Sequence, residues 1–276
     1  MADMAVAHII ILLGTGAFAG FAGGLLGLGG AFIMTPVQYA IYLNMGLAEG
    51  MAIRLAFGTS LMVILPTVIS GAWRYRKQGE VKWKAAFVLG SCSAVAALGG
   101  ATLASNLPDM VLRIVFGIIA LGMAVSMLAT KPLPATAEPR SNYWPLILWA
   151  VPIGLLTGMT GVGGVMMVPI LILTMKLRMH NAVATSLAAI ALTSIGGITG
   201  YIVNGLGTPD LPDYSIGYVY LPSWFLLAVT SIVMAQLGAM TAHKLPGKQL
   251  KYLFVIVLLF VGLMMLGLFD WLGWPI

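Results

Sequence analysis

Apolar runs of about 20 residues follow one another along almost the whole of this 276-residue chain, and nothing else in it constrains the fold as strongly. Hydrocarbon offers a backbone no hydrogen-bond partner, so segments buried in it must satisfy their own N–H and C=O groups. The runs therefore read as membrane-crossing helices, and the chain as an all-α polytopic membrane protein. Composition agrees: 60% of the residues are apolar and 8% are charged, against roughly 25% charged in soluble domains. A water-soluble globule is excluded. The net charge of +6 does not point to nucleic acid, because the basic residues fall in short connections where membrane topology accounts for them. No cleavable signal is expected, since Met1-Ala2-Asp3 leads into the first apolar run without a basic region.

Two of the runs are interrupted. Gly24-Leu-Leu-Gly27-Leu-Gly29-Gly30-Ala31 breaks the stretch 5–44, and Gly158-Met-Thr-Gly161-Val-Gly163-Gly164-Val165 breaks the stretch 144–176. Each is soon followed by a proline, Pro36 or Pro169. Glycine opens backbone conformations closed to other residues and proline removes a donor, so each stretch is expected to form two helical arms meeting at the break. Paired interruptions at corresponding places in two halves are the best sequence-level pointer to a transporter binding site.

The halves correspond residue by residue. Arg54 to Leu61 lies over His180 to Leu187, with Ala, Thr, Ser and Leu identical, and Gly71, Tyr75 and Gly79 then meet Gly197, Tyr201 and Gly205. Further on, Phe87, Ser93, Gly100-Ala101 and Leu107-Pro108 meet Phe225, Ser231, Gly238-Ala239 and Leu245-Pro246. Full spans are expected at about 51–72, 85–106, 109–129, 182–204, 221–243 and 249–270. The first repeat is taken as residues 1–129 and the second as 144–276, joined by the polar, proline-rich linker 130–143.

Loop charge sets the orientation. The segment 74–84 carries five basic residues and one acidic residue, whereas 205–220 carries Asp210 and Asp213 and no Lys or Arg. The first is expected inside and the second outside, although they hold equivalent places. The basic connections 176–180 and 243–251 and the linker fit the inside. Two inverted repeats follow, each a glycine-broken hairpin plus three transmembrane helices, with both termini outside. Whether each hairpin crosses or re-enters is open at this level.

The glycine runs open the second arms of the hairpins, so two helix N-termini, with their unpaired N–H groups and positive dipole ends, can converge on one small anion. Gly27, Gly29, Gly30, Gly161, Gly163 and Gly164 are the backbone candidates. Tight helix packing is the other reading of the same glycines. Thr59-Ser60 and Thr185-Ser186 supply hydroxyl donors in the following spans, with bonding back to their own helices as the alternative. Arg54 and His180 are equivalent ionisable positions, candidates for a charge or proton role or side chains that snorkel to an interface. His8 and Arg113 are read as structural, and Gln236, in a span, could bridge helices as easily as touch substrate. Cys92, alone, rules out an intrachain disulfide and a multi-cysteine metal site; it is a packing residue or a thiol acting on a sulfur substrate. No buried acidic pair, phosphate-binding loop or hydrolase motif is present. No enzyme, cofactor or metal is expected.

The duplicated set Gly27-Leu-Gly-Gly30 and Gly161-Val-Gly-Gly164, each with its downstream proline, Ala-x-x-Thr-Ser in both following spans, and the Gly100-Ala101/Leu107-Pro108 pattern with its echo, resembles the sulfite exporter TauE/SafE family of membrane permeases. The resemblance covers nearly the whole chain. The family's glycine run often carries one more glycine, where this chain has Ala31 and Val165. The resemblance implies a secondary transporter in a bacterial inner membrane that exports sulfite, an organosulfonate or a related small anion. The alternatives are an importer of another small organic anion, or a membrane subunit or scaffold for a partner enzyme. A homo-oligomer is left open.

Overall fold

The computed structural model describes residues 6–77, 79–129, 142–161 and 164–242, with scattered positions between 249 and 267. The chain is an all-α polytopic membrane protein. The broken stretches are the arm pairs α1 (Val6–Leu26) with α2 (Ala31–Asn44), and α6 (Trp144–Thr160) with α7 (Gly164–Met175). Between and after them stand α3 (Glu49–Arg76), α4 (Trp83–Asn106), α5 (Asp109–Ala129), α8 (Met179–Gly205) and α9 (Leu221–Ala242). Six of these, α1, α3, α4, α5, α8 and α9, are long and apolar enough to cross a membrane. The linker from 130 to 141 and most of the span expected at 249–270 lie outside the described residues.

Without water to squeeze out, helices in a bilayer hold together by close packing, and small side chains let backbones approach. Gly16, Gly20 and Gly24 of α1, one per turn, face Leu227, Ser231 and Ala235 of α9, and Gly238 of α9 faces Phe21 in return. The same seam recurs in the other half. Gly154 and Gly158 of α6 face Ser93 and Ala97 of α4, Gly100 of α4 faces Leu155, and Ser93 donates to the Ala150 carbonyl at 3.1 Å. Both seams join helices from different repeats, and in both the residue numbers rise together, so the partners run parallel.

A second layer of pairings links the same helices further. Along α3 and α9, Thr59 meets Tyr220, Met62 meets Trp224, Thr67 meets Ser231 and Ser70 meets Gln236. Along α8 and α4, Thr185 meets Lys82, Gly196 meets Ala94 and Asn204 meets Thr102. These pairs are parallel too. By contrast, α3 and α8 cross antiparallel: Leu187 fills the gap at Gly71, and Leu61 fills the gap at Gly197. These are the same pair of equivalent residues seen twice. Gln236, for which the sequence left a helix bridge and a substrate contact open, bridges α9 to α3 with its amide 3.0 Å from Ser70.

This arrangement answers how the hairpins run. Gly24 lies against Gly71 and Tyr75 near the end of α3, Gly29 against Ile64 and Val68, and Gln38 against Ser60. So α2 runs antiparallel to α3 while α1 runs with it, and the two arms of the hairpin start and finish at the same end of the bundle. At roughly 1.5 Å per residue, the 21 residues of α1 span about 32 Å and the 12 of α7 about 18 Å. Full crossing length belongs to the first arm of the first hairpin and not to the returning arms.

A two-stranded hairpin, Ser215–Ile216 with Val219–Tyr220, precedes α9 and was not foreseen. Gly217 turns it at φ 54°, pressed against the Ile202 carbonyl, and the Tyr218 amide donates to the Tyr201 carbonyl at 3.1 Å. It ties the start of α9 to the end of α8.

Replacing Gly24 or Gly158 by leucine forces a side chain into the backbone of Ala235 or Ala97, at an overpacking cost of about 1–3 kcal/mol or more. Gly14, whose added Cβ meets nothing within 4 Å, is the control. Thermal unfolding in detergent should show both seam variants melting well below the Gly14→Leu variant; equal midpoints would refute the seam as a stabilising contact.

Candidate functional site

Each break is built from glycines in the left-handed region. Gly27, Gly29 and Gly30 have φ values of 76°, 80° and 86°, and Gly161 has 72°. An L-residue pays roughly 1–2 kcal/mol for that conformation, which is why the chain turns here. Pro36 and Pro169 lie inside the second arms, so the glycines, not the prolines, make the breaks. The carbonyls orphaned at the end of each first arm find equivalent partners: the Tyr75 hydroxyl donates to Gly24 at 3.3 Å and the Tyr201 hydroxyl to Met159 at 3.0 Å.

Each hairpin tip packs on the opposite repeat. A Cβ added at Gly27 would lie 2.8 Å from Ser186 Oγ and 2.9 Å from Val183 Cα, in the second and third turns of α8. One at Gly161 would lie 3.6 Å from the Phe57 carbonyl and 3.8 Å from Leu61 Cγ, in α3. It would also lie 4.0 Å from the Cβ of Ala31, the first residue of α2. The two breaks therefore meet inside the bundle. No side-chain hydrogen bond caps the N-terminus of α2, and in its first turn the Ile33 and Met34 amides donate to the Gly30 carbonyl at 3.1 and 3.3 Å. Gly164 opens α7, as expected, and Gly163 lies outside the described residues.

The four hydroxyls divide into two kinds. Thr59 Oγ1 accepts from the Tyr220 amide at 2.9 Å, and Thr185 Oγ1 accepts from the Lys82 amide at 3.0 Å. These are equivalent bonds, each pinning the start of a helix to the other repeat. The serines differ from one another. Ser186 donates to the Gly27 carbonyl or to its own Val183 carbonyl, both at 2.8 Å. Ser60 accepts from Thr35 at 3.0 Å and from the Gln38 amide at 2.7 Å. The Tyr42 hydroxyl in turn donates to Gln38 Oε1 at 3.0 Å.

Arg54 and His180 stand one turn before Phe57 and Val183, the residues against which the tips rest. Arg54 donates to the Leu107 carbonyl at the end of α4 at 3.0 Å, and His180 Nε2 lies 3.4 Å from the Ala242 carbonyl at the end of α9. A cation at a helix C-terminus is favourable, so Arg54 has a structural task beside its tip, and His180 lies at the corresponding helix end beside the other. Arg113 stacks over the Tyr39 ring at 5.4 Å. Cys92 is half-buried in α4. Among the described residues, no three His, Cys, Asp or Glu side chains come together where they could hold a metal.

The residues the sequence did not bring forward are Thr35, Gln38 and Tyr42. All three are fully buried, on an otherwise apolar arm. Their spacing of three and four puts them on one helix face, and that is the signal that could have found them. Among the described residues the second hairpin shows no such stripe: the buried side chains of α7 are Met167, Val168, Pro169, Ile170, Leu171, Ile172 and Met175.

Comparison with known proteins agrees with this architecture. The family described as sulfite exporter TauE/SafE matches residues 12–265. A probable membrane transporter protein of Methanocaldococcus jannaschii is 31% identical over 93% of this chain and 94% of its own length. One from Haemophilus influenzae is 27% identical over 93% of this chain and 97% of its own length. A third, YdhB of Bacillus subtilis, is 25% identical over 88% and 94%. No solved structure matches. A match across nearly the whole length, including both glycine breaks, settles the family: the chain belongs to the sulfite exporter TauE/SafE family and is a membrane transporter.

Proposed function

We propose that this transporter moves a small sulfur-containing anion, sulfite or an organosulfonate, outward across a bacterial inner membrane, using the meeting point of the two hairpin tips as its site. The observation that carries the reading is the approach of Gly161 to Ala31, which sets the two breaks and the N-terminus of α2 against one another. Backbone amides at a helix start favour an anion there, and the glycines let it come close. The sulfur chemistry comes from the family's description, and outward movement suits an inside-negative potential, which expels anions with about 2.3 kcal/mol per charge per 100 mV.

The antiparallel crossing of α3 and α8 and the reciprocal Thr59–Tyr220 and Thr185–Lys82 bonds support inversion of the repeats. Loop charge then assigns residues 73–84 and 130–143 to the cytoplasm and both termini to the periplasm. The glycine seams favour moving bodies that differ from the sequence halves. One consists of α1, α2, α3 and α9, the other of α4, α6, α7 and α8, with the leucine-in-glycine crossing of α3 and α8 between them. Ser186 suits a latch on that boundary. Its hydrogen can pass from Gly27 to Val183 when the bodies part, which leaves no buried donor unpaired.

Three outcomes follow. Purified protein in liposomes should carry sulfite or sulfoacetate at a rate that follows an imposed potential; folded protein silent to both would remove the substrate assignment. Gly29→Ala places a Cβ 2.8 Å from Ile64 Cγ2 at φ 80° and should cut flux at least tenfold with insertion intact, while Ile64→Ala in the same chain should recover part of it. In a Cys92→Ser background, single cysteines placed at Lys77 and at Asp213 should be labelled from opposite faces of the membrane; labelling from one face would rule out the inverted arrangement.

A further inference from the structure

Gln236 and Arg74 put polar groups on a part of the surface that is otherwise made for lipid. Ile69 and Trp73 of α3 and Val233, Leu237 and Met240 of α9 are each between 39% and 60% exposed. Large apolar side chains shown together along two membrane-crossing helices belong against acyl chains. Gln236 is exposed among them. A polar group inside a membrane span is costly on its lipid face, so this one calls for a partner.

Bridging the helices accounts for only part of it. The Ser70 hydroxyl donates to the Ile232 carbonyl at 2.9 Å, so it must accept from Gln236, whose Nε2 lies 3.0 Å away. One amide hydrogen is used, and the other has no acceptor among the described residues. Nor does helix contact require the amide. At the corresponding place in the other half, Gly196 and Gly200 of α8 pack on Ala94 and Leu98 of α4. Leu98 holds the position equivalent to Gln236. One turn beyond Ser70, Arg74 is half-buried, and its Nε is shielded from solvent without a hydrogen-bond partner among the described residues.

Depth separates the two groups. The 28 residues of α3 span about 42 Å, which is about 12 Å more than the hydrocarbon core of a bilayer. A centred helix therefore stands about 6 Å clear of the core at each end. Arg74 is two residues from the end of α3 at Arg76, which places it in the headgroup layer. Ser70 is six residues from that end and Gln236 six from the end of α9 at Ala242, so their bond lies about 3 Å inside the core. A glycerophospholipid carries its phosphate at the upper level and its acyl ester carbonyls at the lower. The charge at this end is positive. Arg74, Arg76, Lys77, Lys82 and Lys84 stand against Glu80 alone, and Arg76 stacks over the Trp73 ring at 5.2 Å.

We infer that the groove between α3 and α9 is a binding site for one anionic glycerophospholipid. Arg74 holds the phosphate, Gln236 donates its second amide hydrogen to an ester carbonyl, and the acyl chains lie over Ile69, Val233 and Leu237. Trp73 anchors the rim, as tryptophans do at membrane interfaces. Basic clusters at helix ends attract anionic lipid in general. The amide one turn deeper is what turns attraction into a site. The inference stands apart from the choice of transported anion.

Native mass spectrometry of the purified full chain in detergent tests it, with phosphatidylglycerol, phosphatidylcholine, a dialkyl-ether phosphatidylglycerol and inorganic phosphate as probes. One phosphatidylglycerol should be retained about tenfold more tightly than phosphatidylcholine, and Arg74→Gln should remove that preference. The ether lipid, which lacks the ester carbonyls, should bind about threefold more weakly than the ester. In Gln236→Leu the ester and ether lipids should bind alike. Lys84→Gln, which removes an exposed charge at the same end, should change binding less than about twofold. Phosphatidylglycerol should also raise the thermal midpoint of the native chain and not that of Arg74→Gln. Equal retention of phosphatidylglycerol and phosphatidylcholine would overturn the site, as would equal losses from Arg74→Gln and Lys84→Gln, which mean diffuse surface charge. Displacement of the lipid by millimolar phosphate would make it a site for soluble anions instead. A dimer lost in Arg74→Gln would give the groove to a second copy of the chain. The ester and ether comparison needs no variant, so equal binding of the two by the native chain would overturn the assignment of Gln236 whatever the variants do.

Discussion

Backbone-to-backbone contact along two glycine seams is the constraint on which the rest of the molecule depends. Lipid tails are as apolar as leucine, so burial alone gives one helix no reason to prefer another. What singles out α9 as the partner of α1, and α4 as the partner of α6, is that a glycine every fourth residue on one side meets the backbone of Leu227, Ser231 and Ala235, or of Ser93 and Ala97, on the other. Because each seam joins helices of different repeats, the two halves of the sequence are interlocked. The hairpin tips are then held at fixed depth, with Gly27 on α8 and Gly161 on α3.

Within that frame, the polar groups sort by how freely they can change partners. The bonds from Thr59 and Thr185 satisfy backbone amides at the starts of two helices, which have no turn behind them to supply another acceptor. The hydroxyls of Thr67, Ser186 and Thr193 each touch the neighbouring helix and also a carbonyl of their own helix. The first kind suits a pivot, the second a sliding surface. A transporter needs both in one membrane-buried boundary where no water can repair a broken bond.

Much of this was legible in the sequence. Runs of apolar residues place α3, α4, α5, α8 and α9 to within a few residues, because a helix in hydrocarbon must be long and continuous. The breaks at Gly27–Gly30 and Gly161 were legible because few residues besides glycine accept positive φ cheaply. The swapped partnership of the helices was not. Gly16, Gly20 and Gly24 announce a close neighbour but carry no address for it. The cluster around Ser60 was hidden for a different reason. Thr35 and Gln38 are ordinary residues in isolation, and their meaning comes from Ser60, which both of them reach only through the packing of α2 on α3. The strand pair at Ser215–Tyr220 was missed because two-residue strands leave no period to detect.

The seam between α1 and α9 also has a meaning in time. Gly16 emerges with the first helix, and Leu227, its partner, comes 211 residues later in the chain. At synthesis rates of about 5–20 residues per second, the glycine face of α1 stands in the membrane for roughly 10–40 s before the surface made for it exists. A helix with that many exposed backbone groups is a poor resident of lipid alone, and an attractive partner for any other small-residue face nearby. The first hairpin is thus assembled last, around a helix that was made first.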